Sequence, residues 1–165
     1  MRTIDNINGL NKSEFLSIFG NVFEKTESVA LKVFELKPFK DSDDIVSKML
    51  KIYEEYDRNK ILQILNSHPE LAIEKKLTSE SKLEQTSANL NECSEEEFEE
   101  FKKLNLEYKT KFGFPFIIAV KGKNKNEILV NFRERIQNDL NKEFLEAKNQ
   151  VKKIASFRLK DILSF

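Results

Sequence analysis

Tryptophan is missing from this chain of 165 residues, and histidine and cysteine occur once each. The lone Cys93 excludes an intrachain disulfide, and one cysteine with one histidine excludes a Cys/His metal cage. Charge of one sign is also without surplus, since 28 Lys and Arg balance 28 Asp and Glu. A general nucleic-acid binder needs a basic excess to neutralise phosphates, and an anionic membrane surface asks for the same. No nucleic acid and no membrane is therefore expected as partner. No apolar run approaches the roughly 20 residues of a membrane span. The opening MRTIDNINGLNK has no apolar signal core. The expectation is a soluble protein of a reducing compartment that uses no metal and works with its own side chains.

Four glycines and three prolines permit few turns, and few turns mean long elements. A charged fraction of 34% together with 14 Phe fits amphipathic helices with phenylalanine-rich inner faces. At this length the chain makes one domain, residues 1–165, and buries roughly two-thirds of its unfolded surface without staples.

The punctuation places the helices. Asn11 with Glu14 forms a capping pair ahead of Phe15, Phe19, Val22 and Phe23. A short helix holds residues 29–36 and stops before Pro38. Asp41 opens a helix with Ile45, Met49, Ile52, Tyr53 and Tyr56 inward. Residues 60–67 form another, which must end because Pro69 disfavours helical geometry at His68. Thr78 and Ser79 start a helix reaching about Leu90. Ser94 with Glu97 is a capping box for Phe98, Phe101, Leu104 and Tyr108, with Gly113 as the stop. FPFIIAV (114–120) follows as an extended or irregular stretch. Asn124 with Glu127 opens a helix bearing Ile128, Leu129, Phe132 and Ile136, and the last helix runs from about Asn141. The fold expected is an all-α, single-domain bundle of about seven to eight helices.

Three features sit awkwardly in a purely structural account. His68 is the only side chain whose ordinary pKa lies near neutrality, and it stands at a helix end before Pro69. An exposed or capping histidine at a helix end is the plainer explanation. Ser81, Glu84 and Gln85, at i, i+3 and i+4, put a hydroxyl, a carboxylate and an amide on one helix face, which is either a functional patch or an ordinary solvent face. Arg158 falls in the gap between Ile154 and Ile162 on the apolar stripe Phe144, Ala147, Val151, Ile154. A charge facing a core needs compensation, from a ligand or from a structural acid, unless it snorkels out. There is no phosphate-binding glycine loop and no G-x-S-x-G elbow. Cys93 sits before a helix start, which lowers a thiol pKa, but it reads as a spectator.

The segments FGNVFE (19–24), HPEL (68–71), LTSESKLEQ (77–85), LNLEYKTKFGFPFIIAVKG (104–122), RIQND (135–139) and IASFRLKDIL (154–163) occur in this order. Together they resemble the 2-oxo-4-hydroxy-4-carboxy-5-ureidoimidazoline (OHCU) decarboxylase family, which makes allantoin in urate degradation. The resemblance covers nearly the whole chain. It implies an all-α homodimer without a cofactor, acting on a small-molecule substrate. His68 matches the family's proton donor, and Pro69 lines the pocket. Ser81, Lys82, Leu83, Glu84 and Gln85 match its substrate-binding helix, with Glu84 the acidic partner. Phe116, Ile117, Ile118, Ala119 and Val120 match the segment whose backbone meets the imidazoline ring, and Arg158 matches the arginine of the final helix. The connection from Leu71 to Leu77 is shorter than the family's usual one, and Glu27 and Ser28 replace an aromatic common after FGNVFE. The ending LSF differs from the peroxisomal S-K-L, so a cytoplasmic setting is expected.

The implied reaction loses carbon dioxide from a carbon beside a carbonyl, so an enolate must be stabilised and one proton delivered to one face, giving (S)-allantoin. Arg158 has the planar fork for an anionic or carbonyl oxygen. Backbone N–H groups of residues 116–120 would stabilise the oxyanion, and His68 would protonate the carbon. Glu84 either holds the His68 tautomer or grips the substrate hydroxyl. Two other readings remain open at this point. One is an inactive relative serving as a helical interaction module; the other is a lyase or hydrolase acting on a related ureido ring.

Overall fold

The structure is a computed structural model that describes residues 2–72 and 77–163. Its elements are α1 (Ile4–Gly9), α2 (Lys12–Phe19), α3 (Ser28–Phe34), α4 (Ser42–Glu54), α5 (Arg58–Ser67), α6 (Ser79–Ser87), α7 (Glu95–Phe112), α8 (Lys125–Arg135) and α9 (Leu140–Leu163). Among the described residues there is no β-strand. None of the helices there is long and apolar enough to cross a membrane.

The local start and stop signals do what they were expected to do. Asn11 and Ser94 each accept from the main-chain N–H of the glutamate three residues on, and Glu14 and Glu97 reach back to complete both capping boxes. Asp41, Thr78 and Asn124 cap α4, α6 and α8 in the same manner. Gly113 ends α7 at φ 81°, a left-handed conformation that costs glycine nothing sterically. The element beyond the expected set is α1. Two further ends differ: α2 stops at Phe19 and α6 at Ser87, while Val22, Phe23 and Leu90 are buried in the turns that follow.

The contacts divide the chain into two compact units, Met1–Ser67 with Lys152–Phe165, and His68–Val151. The first unit packs α3 against α2 and α4 around Phe15, Phe19, Phe23, Ile45, Met49 and Tyr53. Phe23 stacks on Tyr53 with ring centroids 4.8 Å apart. The second unit packs α7 against α8 around Tyr108, with Phe112, Phe114, Phe116 and Phe132 in contact with its ring. Each such buried ring contributes about 1.5–3 kcal/mol of burial free energy. Residues 115–120 are neither helix nor strand, yet residues 114 and 116–120 are all buried. A buried irregular segment must satisfy its peptide groups from somewhere other than a ladder.

Candidate active site

His68 directly follows the last residue of α5 and is 8% exposed, so it is not an exposed histidine. The loop that carries it is held from two helices of the same unit. Gln85 on α6 donates from Nε2 to the Glu70 carbonyl at 3.2 Å and accepts from the Ala72 N–H at 3.1 Å. Asn105 on α7 donates to the Leu71 carbonyl at 3.0 Å. Ala72 has φ 54°, left-handed backbone that a side-chain-bearing residue adopts at a cost of about 1–2 kcal/mol. These amides hold it there. The expected shortening between Leu71 and Leu77 falls on residues 73–76, outside the described residues.

The face Ser81, Glu84, Gln85 is real and points into the protein: Ser81 and Gln85 are buried and Glu84 is half-buried. Lys82 and Leu83, from the same motif, are exposed. The α6 helix and the histidine loop are thus brought together, with Gln85 as the link.

The segment 116–120 is held by side chains that sequence reasoning did not single out. Arg135 at the end of α8 donates from Nη1 to the Ile117 carbonyl at 2.7 Å. Its Nε and Nη2 reach the Glu143 carboxylate at 3.0–3.2 Å. Glu143 is fully buried and also accepts from Asn138 Nδ2 at 3.0 Å and from the Tyr108 hydroxyl. Burial, reinforced by that hydrogen bond to Glu143, pushes the Tyr108 phenol far above its usual range. The Arg135 guanidinium lies 4.3 Å from the Phe116 ring centroid, and Phe116 stacks on Phe132 at 3.9 Å. On α9, Gln150 accepts from the Ala119 N–H at 2.9 Å while donating to Glu146 at 2.8 Å.

A signal for these residues was present. Asn105 stands on the α7 stripe of Phe101, Tyr108 and Phe112, and Glu143 and Gln150 stand beside Ala147 and Val151 on α9. Polar groups in an apolar stripe are what drew attention to Arg158.

Arg158 belongs to the first unit and is 6% exposed. It donates from Nη2 to Glu24 at 2.8 Å and from Nη1 to the Asn21 carbonyl at 2.9 Å. Glu24 is fully buried, so the compensation that a core-facing charge demands is supplied within FGNVFE. Cys93 departs from the direction expected of a helix start. Burial, then the neighbouring Glu97, pushes its thiol up, which removes it further from nucleophilic chemistry.

A family model described as OHCU decarboxylase matches residues 8–160. The "Uric acid degradation bifunctional protein" of Bacillus sp. (strain TB-90) is 39% identical over 162 residues, 98% of this chain and 32% of that protein. This chain therefore spans about a third of that relative's length. The 2-oxo-4-hydroxy-4-carboxy-5-ureidoimidazoline decarboxylase of Haloferax volcanii is 35% identical over 162 residues, 98% of this chain and 96% of that protein. A solved (S)-allantoin synthase superposes with a TM-score of 0.79 at 25% identity, covering 98% of this chain and 54% of that one.

Proposed function

We propose, from the premise that this chain belongs to the OHCU decarboxylase family, that it is a cofactor-independent carboxy-lyase converting 2-oxo-4-hydroxy-4-carboxy-5-ureidoimidazoline to (S)-allantoin. The bond from the hydroxyl-bearing ring carbon to its carboxylate breaks, carbon dioxide leaves, and the electron pair passes into the adjacent C=N of the ureido-bearing carbon, whose nitrogen takes a proton from solvent, leaving an enol between the two ring carbons. His68 then delivers a proton to one face of the neighbouring, ureido-bearing carbon while the enol hydroxyl loses its proton to become the ring carbonyl, and the imidazole regains its own proton from solvent. The observation that carries the reading is the setting of His68: a buried imidazole in the connection after α5, clamped at Glu70, Leu71 and Ala72 by two amide side chains. Such rigidity suits a general acid that must reach one face of a planar intermediate.

Pro69, Ser81 and Gln85 contribute the pocket beside the histidine in this proposal, and Glu84 steadies the imidazole or the substrate hydroxyl. Lys82 and Leu83, whose side chains face solvent, contribute through their main chain. The peptide groups of residues 116–120 stabilise the enolate oxygen, and Arg158 meets an anionic oxygen of the substrate. The chain acts as one domain over residues 1–165, as a homodimer in the cytoplasm. Leu83 and Leu106, each more than two-thirds exposed, provide apolar area for a second copy.

The test generates the substrate in situ from urate and follows optically active allantoin. The wild-type chain is expected to accelerate its appearance, and the absence of any acceleration would refute the activity. His68→Asn is expected to lower turnover about 10²-fold or more and to leave only racemic product. Normal rate and handedness in that variant would remove His68 from the acid's role.

A further inference from the structure

Asn105 is at odds with its place on α7. The buried stripe of that helix is otherwise Phe101, Leu104, Tyr108 and Phe112, and Asn105 stands within it at 3% exposure. Its amide is only half used. Nδ2 donates to the Leu71 carbonyl at 3.0 Å, whereas Oδ1, itself out of reach of water, has no hydrogen-bond partner. A buried polar atom without a partner lowers stability, and an apolar residue of similar size would fill the stripe without that loss.

The used half of the amide accounts for the residue. The C=O of Leu71 and the N–H of Ala72 belong to one peptide unit, and that unit is gripped at both ends: by Asn105 from α7, and by Gln85 Oε1 from α6 at 3.1 Å. Gln85 Nε2 also takes the preceding carbonyl, that of Glu70, at 3.2 Å. The orientation of a planar peptide sets ψ of the residue before it and φ of the residue after it. Ala72 is held at φ 54°, a conformation that a residue with a Cβ adopts only under constraint. Two local costs thus coincide at one peptide unit, an orphaned acceptor and a left-handed alanine, and such departures from local preference cluster where function needs them. Only Glu70 and Pro69 separate the gripped unit from His68, and the Pro69 ring fixes its own φ at about −65°.

We infer that Asn105 is a positioning residue for the reaction: from α7 it holds the Leu71–Ala72 peptide against Gln85, and through Glu70 and Pro69 it keeps the His68 imidazole where a proton reaches one face of a planar intermediate. It touches no substrate and acts through the loop alone. The inference rests on the reading of His68 as the acid, and it adds a residue from another helix, kept there for the loop at the expense of the stripe.

The experiment compares the full chain with two variants. Asn105→Leu removes the donor at similar volume, and Asn105→Ser carries a side chain that cannot overpack the stripe and is too short to reach the carbonyl. With the substrate generated in situ from urate, kcat is expected to fall about tenfold or more in both, and KM to stay within about threefold, since the loss acts in the transition state. The melting temperature of Asn105→Leu is expected to stay within about 4 °C of wild type, because removal of the orphaned acceptor offsets the lost bond to Leu71. His68 is the only histidine, so its imidazole resonances need no assignment. One sharp set is expected from the wild type, and broadened or doubled signals from the variants, as the ring samples more than one placement. Wild-type kcat in either folded variant, a loss confined to KM, or slow variants whose ring signals stay as sharp as the wild type's would each overturn the positioning role. So would variants that melt early while their folded fraction turns over normally. An active wild type with a dispensable Asn105 defeats this inference alone. A wild type without turnover, or a His68→Asn variant with normal turnover, defeats the functional reading and this inference with it.

Discussion

Glu24→Gln is a single-atom change at a fully buried carboxylate that receives the Arg158 guanidinium at 2.8 Å. Two unit charges about 4 Å apart attract by about 4 kcal/mol at an effective permittivity near 20. Removing one partner of a buried pair costs about 3–5 kcal/mol, because the survivor is left desolvated without its counter-charge. In a chain of this length each kcal/mol moves the melting temperature by about 2–4 °C, so a drop on the order of 10 °C is expected. Far-UV circular dichroism at fixed protein concentration reads it. Arg158→Met is expected to lose a similar amount, since it strands Glu24 and takes a donor from the Asn21 carbonyl. The double variant Glu24→Leu, Arg158→Met replaces both charges with apolar groups and is expected to recover most of the loss. Single variants melting within about 2 °C of wild type would refute the reasoning, as would a double variant no better than the worse single. The same proteins separate stability from chemistry: if Arg158 touches the substrate, the recovered double variant folds and fails to turn over.

Two further outcomes are expected. The Ser94 main-chain N–H, then Lys125, holds the Glu97 carboxyl below its ordinary value; the resulting stabilisation is present above the ordinary glutamate pKa and disappears as pH falls through the lowered one. The melting-temperature gap between wild type and Glu97→Gln should therefore close between about pH 5 and pH 3, and a gap that widens on acidification would contradict the assignment. Light scattering at micromolar concentration is expected to give twice the chain mass of 19.4 kDa, and a monomer throughout that range would disprove the homodimer.

Most of the helical framework was legible because its signals are local. Ser94 with Glu97, Asn11 with Glu14, and Gly113 act within a few residues of themselves, so tertiary context need not be known. The helix α1 was not legible for the opposite reason. It is six residues long, with two asparagines and a terminal glycine, and its support is distant: Ile7 is fully buried and Asn8 exchanges two hydrogen bonds with the Phe39 main chain. The same division runs through the candidate site. His68 and Arg158 stood out as residues at odds with their positions. Gln85 was noticed, yet its partners are main-chain groups of Glu70 and Ala72, and main-chain partners leave no trace in residue identity. Asn105, Arg135 and Gln150 went unnoticed on that account, each aimed at a carbonyl or an N–H of a loop.

The pairing of Glu24 with Arg158 also has a consequence for biosynthesis. The two residues are 134 positions apart, and the unit they hold together is interrupted by the whole of residues 68–151. A growing chain leaves the ribosome with Glu24 first, and its counter-ion is among the last residues made. Until then the Glu24 carboxylate lacks the guanidinium that it meets in the finished fold, whereas the intervening unit is contiguous in sequence. Closing a loop of roughly 80 residues costs little more than closing one of 40, about 0.6 kcal/mol, so the delay is one of timing rather than of entropy. A nascent chain halted in α9 between Val151 and Arg158 would carry every residue of the second unit and a first unit still without the cation that its buried carboxylate meets.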